Sequence, residues 1–170
     1  MSYADEQGTM MMDTGEALAG KYLTFFLDQE TFGLEILKVQ EIIGIQEITK
    51  IPRTPPYVKG VINLRGKVIP VVDLRLKFGL EEQAFSRKTC IIMVQVKRGE
   101  TYLIMGIIVD EVSEVIDIPG EQIEKTPALG SQVNSGFILG MAKIESSVKI
   151  LLDIDMILSA EEMEVLARNV

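Results

Sequence analysis

Residues 51–74 read IPRTPPYVKGVINLRGKVIPVVDL, and this stretch decides the fold. A proline-rich connection leads into two apolar segments, VINL and VIPVVDL, which are joined by the tripeptide RGK at residues 65–67. Because glycine readily takes the positive φ that a tight turn needs, a glycine between two β-branched runs is typical of a β-hairpin. The stretch therefore predicts a hairpin that holds Arg65 and Lys67 near an exposed tip.

Two residues of the second apolar segment limit how it fits into a sheet. Pro70 has no N–H to donate to a strand ladder, so we expect it at an edge or a bulge. Asp73 ends the segment and is a favourable N-cap, which predicts a short helix directly after it. A polar connection, residues 79–88, then separates this part of the chain from the next apolar strand.

Length and composition indicate a folded protein with a core of its own. The chain has 170 residues, 47% of them hydrophobic, which suffices for one domain or two small fused ones. No apolar run approaches the ~18 residues of a membrane-spanning helix, so we expect no direct membrane insertion. Residues 1–20 are acidic, lack the basic start of a signal peptide, and predict a flexible tail.

The sequence contains no histidine, which is the commonest general base and the commonest metal ligand. Its single cysteine, Cys90, lies in an apolar run and is expected to be a buried structural thiol in a reducing, cytoplasmic compartment. Zinc sites and Ser-His or Cys-His nucleophile systems are thus excluded, and we expect no catalytic residues, no metal site and no cofactor. The remaining enzymatic alternative is a carboxylate pair, Glu41 with Glu35 or Glu114.

The charge of the chain is unevenly distributed. The net charge of −8 argues against a nucleic-acid-binding protein. Residues 45–80 nevertheless contain seven basic side chains and only two acidic ones. Such a split suits a protein that docks differently charged partners on different faces. A solvated surface is the alternative interpretation for any single lysine in this window.

The other apolar runs predict further hairpins. We expect them at residues 22–36, 89–109 and 136–154, each with a polar turn between its two strands. Aromatic and β-branched residues dominate these runs, which favours strands over helices of the same length. The chain is therefore predicted to be mainly β.

Helical signals are short and few. Residues 37–41 and 110–115 have a local helical spacing and predict single turns. Ser159 and Glu162 match the capping box S-x-x-E, which predicts a C-terminal helix over residues 159–170. Its apolar stripe is thin and is expected to pack onto the core.

Two segments of the first half recur in the second half in the same order. Residues 32–43, FGLEILKVQEII, resemble residues 105–116, MGIIVDEVSEVI, and residues 68–74, VIPVVDL, resemble residues 148–154, VKILLDI. This predicts a duplicated unit of about five strands that closes as a small barrel, because closure removes exposed strand edges. Two such barrels would pack about a pseudo-twofold axis with a groove between them; a chance likeness of apolar strands is the alternative.

Four motifs together resemble the CheW family, the coupling proteins of bacterial chemotaxis. They are LKVQEI, the connection I-x-K-I-P-x-x-P, KGVINLRGKVIPVVDLR and GIIVDEVSEV, and the resemblance spans roughly residues 21–158. It implies one CheW-like domain over these residues, made of two SH3-like five-stranded β-barrels related by a pseudo-twofold axis. The boundary between the barrels is expected near residues 79–88, and whether they exchange strands is left open.

The resemblance also implies a function. CheW-like proteins are non-catalytic adaptors that couple transmembrane chemoreceptors, the methyl-accepting chemotaxis proteins, to the histidine kinase CheA. The kinase has a regulatory domain of the same two-barrel fold, and the two proteins meet through like barrels. The protein is then expected in the cytoplasm, at the inner face of the membrane, where receptor complexes hold it. The alternative is a small-ligand-binding protein that uses the groove between the barrels.

The family's receptor contacts carry over by motif to six residues. The receptor tip, a helical hairpin, is expected to dock in the groove between the barrels through an apolar anchor, a glycine that allows close backbone approach, and an arginine that binds carboxylates. The residues are Val39, Glu41, Gly60, Asn63, Arg65 and Gly66. Core, turn and solvated roles are the alternatives for Val39, Gly60 and Arg65. For the kinase only a region is indicated, the loop of Lys97, Arg98, Gly99 and Glu100.

Overall fold

The computed structural model describes residues 15–125 and 136–169. These residues form a mainly β fold with two sheets and few helices, and the predicted class is confirmed. The strands are β1 (Gly20–Leu27), β2 (Glu30–Glu35), β3 (Val39–Gly44), β4 (Val58–Leu64), β5 (Lys67–Asp73), β6 (Cys90–Arg98), β7 (Thr101–Val109), β8 (Glu111–Ile118), β9 (Ile123–Lys125), β10 (Ile138–Ile144) and β11 (Ser147–Leu152).

The helices are short. Within residues 15–125 and 136–169, two are α-helical, α1 (Leu74–Lys77) and α2 (Ala160–Asn169), and four single 3-10 turns cover Glu16–Leu18, Ile36–Lys38, Gly120–Gln122 and Ile154–Met156. Within the described residues, no helix has the length and apolar character needed to cross a membrane.

The two sheets exchange hairpins between the halves of the chain. The six-stranded sheet has the order β8-β1-β2-β11-β10-β9, and the five-stranded sheet has the order β3-β6-β7-β5-β4. The hairpin β1–β2 therefore pairs with strands of the second half, while β6–β7 pairs with strands of the first. Each exchange is completed by a parallel pair, β2 with β11 and β5 with β7. Both strand orders are open, so closure of either sheet into a barrel stays a prediction.

Corresponding residues of the two sequence copies occupy corresponding places. Gly33 lies opposite Leu151 in one parallel pair, and Gly106 lies opposite Val71 in the other. Asp73 and Asp153, at the ends of β5 and β11, each cap the helical turn that follows. The predicted N-cap at Asp73 is thereby confirmed, and the duplicated order of strands agrees with the repeat in the sequence.

One hydrophobic cluster joins the two sheets, and we call it the central core. Its buried side chains come from both sheets and from α2, among them Phe25, Leu34, Ile92, Ile107 and Leu166. Each sheet has in addition a small cluster of its own. That of the five-stranded sheet is formed by Ile62, Ile69, Val71, Ile91, Met93 and Ile108, and that of the six-stranded sheet by Tyr22, Ile118, Ile123, Ala142 and Leu151.

Two predicted turns are wrong in part. Residues 110–115 were expected to form a helical turn, but β8 starts at Glu111 and pairs with β1. A register shift opposite Leu23 and Phe25 puts an extra residue into β8, so Val112, Val115 and Ile116 have the i, i+3, i+4 spacing that is typical of a helix. Residues 37–41 form a 3-10 turn only up to Lys38, after which β3 begins.

Pro70 lies where its missing N–H is harmless. It pairs with Val61 of β4, whereas the ladder between β5 and β7 begins only at Val71. Cys90 is half-buried at the start of β6 and packs against the central core, and burial raises the pKa of its thiol.

The N-terminal chain is packed from Gly15 onward, although the sequence predicts a flexible tail through residue 20. Gly15 is buried, and Leu18 packs against the cluster of the six-stranded sheet. The hydroxyl of Tyr22 donates to the carbonyl of Leu18 at 2.6 Å, and burial, together with nearby Glu35, raises the pKa of Tyr22 to about 12. The rest of the predicted tail, residues 1–14, lies outside the described residues.

The capping box of the C-terminal helix is confirmed. The Ser159 hydroxyl accepts from the Glu162 N–H at 3.1 Å, and Glu162 accepts from the Ser159 N–H at 2.7 Å. Glu162 also accepts hydrogen bonds from Lys77 and from the hydroxyl of Tyr57. Burial alone would raise the pKa of Glu162, but these donors together lower it to about 2. Burial and the Glu162 contact raise the pKa of Tyr57.

Gly60 occupies a register shift in β4 that leaves no room for a side chain. Its φ is +140°, and a Cβ would collide with the carbonyl oxygen of Thr49, whose N–H and C=O both bond Val61. The corresponding Gly140 lies in the same kind of shift in β10, where a Cβ would come within 2.7 Å of the Glu124 carbonyl. Both glycines thus serve close backbone packing.

We expect Gly60→Ala to lower the free energy of unfolding by about 2–4 kcal/mol, because the methyl group meets backbone and the φ is unfavourable. Urea unfolding measures this loss. Gly66→Ala is the control, since Gly66 also has a positive φ but nothing within 4 Å of a Cβ; we expect about 1 kcal/mol there. Equal losses in the two variants would contradict the packing role of Gly60.

Glu162→Gln is expected to destabilise the protein at neutral pH by about 2 kcal/mol. The folded pKa of Glu162 lies below its unfolded value, so its contribution is present above about pH 4.5 and is lost as the pH falls towards about 2. The gap between wild type and variant should therefore close over that interval in urea unfolding. Glu161→Gln, on the exposed neighbour, should leave stability nearly unchanged; a pH-independent gap for Glu162→Gln would contradict the assignment.

Candidate functional site

The turn between β4 and β5 presents the residues predicted to contact a partner. Leu64 pairs with Lys67, so the loop has two residues, and both Arg65 and Gly66 have positive φ, of 52° and 88°. Two positive φ values are what a type I′ hairpin turn requires. The Asn63 side chain accepts a hydrogen bond from the Gly66 N–H at 2.9 Å and braces the turn.

Arg65 reaches from this turn to Glu41 on β3. The guanidinium and the carboxylate form an ion pair that links the β4–β5 turn to β3, an edge strand of the five-stranded sheet. The hydrogen bond and the negative charge of Glu41 raise the pKa of Arg65. The Arg65 side chain is 70% exposed and that of Glu41 36%, so the pair stays open to water and to a competing carboxylate.

The ion pair lies on the rim of a cleft of about 300 Å³. The rim is charged and the rest of the lining is largely apolar; the lining residues are Gln40, Glu41, Leu64, Arg65, Lys67, Val68, Ile69, Pro70, Met93, Leu103 and Ile104. Such a cleft can take up an apolar side chain of a partner while Arg65 binds an adjacent carboxylate.

Four of the six predicted receptor-contact residues meet at this hairpin: Glu41, Asn63, Arg65 and Gly66. Val39 does not join them, because a register shift separates it from Glu41. Val39 pairs with Val94 and packs against the central core, whereas Glu41 pairs with Met93, which belongs to the cluster of the five-stranded sheet. Gly60 is buried within β4 itself, against the backbone of Thr49.

Most of the basic residues predicted as a docking surface have acidic partners inside the protein. Lys59 pairs with Glu82, Lys77 with Glu162, and Arg75 with Asp110. Arg53 and Lys67 are exposed. The exposed positive charge of this window therefore lies both in the connection before β4, at Lys50 and Arg53, and at the hairpin tip, at Arg65 and Lys67.

The region suggested for kinase binding is the turn between β6 and β7. Arg98 pairs with Thr101, and Gly99 has a φ of 61°. The Lys97 N–H donates to Asp155 at 2.7 Å, which ties this turn to the segment after β11. Lys97, Arg98 and Gly99 line one side of a groove of about 950 Å³ that continues along Phe137 and the start of α2.

The carboxylate-pair alternative finds no support in the geometry. Glu41 is engaged by Arg65, and Glu114 is exposed on β8. Burial raises the pKa of Glu35, Lys38 partly offsets this, and Asp153 and Asp155 raise it further. Among the described residues, no group of three or more acidic, Cys or His side chains could hold a metal ion.

Sequence reasoning missed the part of the cleft that comes from the second half of the chain. Met93, Leu103 and Ile104 reach the hairpin only because β6 and β7 are inserted into the sheet of the first half. The sequence signal for this is indirect: the repeat shows that two units exist, but not which hairpin joins which unit.

Comparison with known proteins gives a consistent result. The family model of the CheW-like domain matches residues 21–162. A chemotaxis protein CheW from Klebsiella aerogenes is 37% identical over 149 residues, which covers 88% of this chain and 87% of that protein. A CheW from Treponema pallidum is 30% identical, with 85% of each chain covered.

A solved structure agrees as well. The crystal structure of the scaffolding protein TtCheW from Thermoanaerobacter tengcongensis matches with a TM-score of 0.75 and 36% identity. The match covers 85% of this chain and 97% of that one. The residues matched by the family model, 21–162, include the strands of both sheets, apart from Gly20, and the Arg65–Glu41 pair. On these grounds the chain belongs to the CheW family.

Proposed function

We propose that this protein is a non-catalytic adaptor that couples transmembrane chemoreceptors to the histidine kinase CheA in bacterial chemotaxis. The observation that carries the proposal is the match of the CheW-like domain over residues 21–162, which spans both sheets. The crystallised relative is named a scaffolding protein, and that name supports the same role here. A small-ligand-binding role in the groove between the barrels is not favoured.

The receptor contact of this adaptor is the hairpin tip with Glu41, Asn63, Arg65 and Gly66. The two copies of the repeat differ here: the first has Arg65-Gly66 and the second has Glu145-Ser146 at the corresponding turn. Because the strands on either side are common to both copies, the difference at the tip is the part that a partner can distinguish. Val39 and Gly60 support this surface from within the sheet.

The chemistry of the cleft fits the tip of a helical hairpin. An apolar side chain of the receptor would enter between Leu103 and Pro70, and a neighbouring carboxylate would replace Glu41 on Arg65. Glu41 then acts as an internal competitor that keeps Arg65 positioned until the receptor arrives. The kinase contact would use a different surface, and the turn of Lys97, Arg98, Gly99 and Glu100 is the proposed region.

The adaptor would work in the cytoplasm, held at the inner face of the membrane by its receptors. Its contribution is to bind two proteins at a fixed separation, for which no reaction and no cofactor is needed. The test is co-sedimentation of the protein with receptor fragments and CheA. We expect a complex that contains all three proteins; failure to form it, with each partner folded, would contradict the adaptor function.

Arg65→Ala should weaken receptor binding by about 1–3 kcal/mol, because a central arginine in an interface is often a hot spot. Its effect on unfolding should stay within about 0.5 kcal/mol, since exposed ion pairs add little stability. Glu41→Gln should strengthen binding, because Arg65 is released for the receptor carboxylate. Isothermal titration with a receptor fragment measures the change in binding of each variant, and urea unfolding measures the change in stability.

Lys143→Ala provides the control, because Lys143 forms an exposed ion pair with Glu124 on the other sheet. We expect receptor binding to be unchanged in this variant. If Glu41→Gln weakened binding as much as Arg65→Ala, the Glu41 carboxylate would be required for binding, and its role as an internal competitor would be wrong.

A further inference from the structure

Arg75 forms a buried ion-pair contact that links the two sheets, and we call such a contact an interlock. Its side chain is only 7% exposed and donates to Asp110 at 2.7 Å and to the carbonyl of Glu81 at 2.9 Å. A weaker contact of 3.5 Å reaches Asp28 in the turn between β1 and β2. Asp110 lies at the corner where the chain leaves β7 in one sheet and enters β8 in the other.

Asp155 forms a second interlock at the corresponding place in the other sheet. It binds Lys38 at 2.7 Å, and its other oxygen accepts from the Lys97 N–H, also at 2.7 Å. Lys38 lies at the corner where the chain leaves β2 in the six-stranded sheet and enters β3 in the five-stranded one. The side chains of Lys38 and Asp155 are 27% and 25% exposed.

The two interlocks are built on the same backbone frame. Asp73 caps the turn after β5 by accepting from the Arg75 N–H, and Asp153 caps the turn after β11 by accepting from the Asp155 N–H. The N–H groups of the two capping residues bind the carbonyls of Tyr57 and Phe137, each at 2.8 Å. Arg75 and Asp155 are therefore equivalent positions that carry opposite charges.

The residues at the two corners, between β2 and β3 and between β7 and β8, also differ in the sign of their charge. The second copy has Asp110 and Glu111 where the first copy has Leu37 and Lys38. In the observed exchange, Arg75 meets an acidic corner and Asp155 meets a basic one. Glu111 lies beside Arg75 in one cavity. If each hairpin instead stayed with the strands of its own half, Lys38 would take the place of Glu111 beside Arg75, and Glu111 would take the place of Lys38 opposite Asp155, which are like-charge contacts.

We propose that this reversed pair of interlocks determines which hairpin enters which sheet. The repeated strands offer each hairpin two similar places, so apolar packing alone discriminates poorly between the exchanged and the unexchanged arrangement. In the exchanged arrangement both contacts join opposite charges, and in the unexchanged arrangement both contacts join like charges. Like-charge contacts in partly buried positions are an effective way to exclude a wrong partner. The proposal does not depend on the receptor or kinase contacts.

Three cysteines can report which arrangement a chain has adopted. Gly44 of β3 lies opposite Cys90 of β6 in the observed exchange. In the unexchanged arrangement β1 would take the place of β6, and the repeat then puts Lys21 opposite position 44. A chain with Lys21→Cys and Gly44→Cys therefore forms a 44–90 disulfide in one arrangement and a 21–44 disulfide in the other, because paired Cα atoms lie within disulfide reach.

The decisive variant adds Lys38→Asp and Asp155→Lys to this reporter chain. In the observed arrangement, positions 38 and 155 keep opposite charges, although the Lys97 N–H loses its acceptor at position 155. In the unexchanged arrangement, both contacts now join opposite charges as well, so the charges no longer discriminate between the two arrangements. After refolding and oxidation, we expect the fraction of 21–44 disulfide, measured by peptide mass spectrometry, to rise roughly tenfold over the reporter alone. Size-exclusion chromatography then separates linkage within one chain from linkage between two chains, and either form counts as the unexchanged pairing.

Two further chains complete the experiment. Lys38→Gln removes one like-charge contact with little disturbance of a partly exposed site, and we expect a smaller rise of roughly threefold. Lys143→Glu with Glu124→Lys is the matched control, because it reverses an exposed ion pair within one sheet at constant composition of charge. An unchanged disulfide partition in both Lys38 variants, relative to this control, would overturn the proposal.

Discussion

The packing of the two sheets through one shared core is the interaction on which the rest of the structure depends. Phe25 and Leu34 of one sheet meet Ile92 and Ile107 of the other, and all four are fully buried. Fully burying a side chain of this size contributes about 1.5–3 kcal/mol, so the contact outweighs any exposed ion pair. Because each sheet also contains a hairpin from the other half, neither can separate without unpairing strands. A protein that holds two partners at a fixed distance benefits from such a rigid body.

The candidate site lies at a turn that does not contribute to the central core. The strands β4 and β5 are duplicated as β10 and β11, so their register serves the fold, and the turn between them can vary. In the first copy that turn carries Arg65, positioned by Glu41 and by a type I′ geometry that Gly66 and Asn63 support. The polar groups are therefore placed by scaffold elements rather than by a mobile loop, which favours specific recognition over adaptable binding.

Local signals in the sequence predicted local structure well. The RGK turn, the Asp73 cap and the Ser159–Glu162 capping box each depend on a few neighbouring residues, and all three are present. The strand β8 was misjudged, because a register shift between Val112 and Val115 interrupts its alternation. Gly60 was predicted as a place for a partner's backbone, but it receives the backbone of Thr49, which the sequence places eleven positions away with no visible pairing signal. The hairpin exchange was undecidable from pattern alone, since both copies have similar apolar strands. The charge reversals that we propose to select it, Arg75 with Asp155 and Lys38 with Glu111, have no meaning before the contacts are known.

Differential scanning calorimetry tests most directly whether the two sheets form a single unit. Since the central core and both exchanged hairpins are shared, we expect one unfolding transition whose calorimetric and van't Hoff enthalpies agree, as in a two-state domain. Hydrogen exchange just below the transition should then show equal opening free energies for the inner strands β2 and β7. Two separate transitions, with β2 losing protection at a different temperature from β7, would contradict the account.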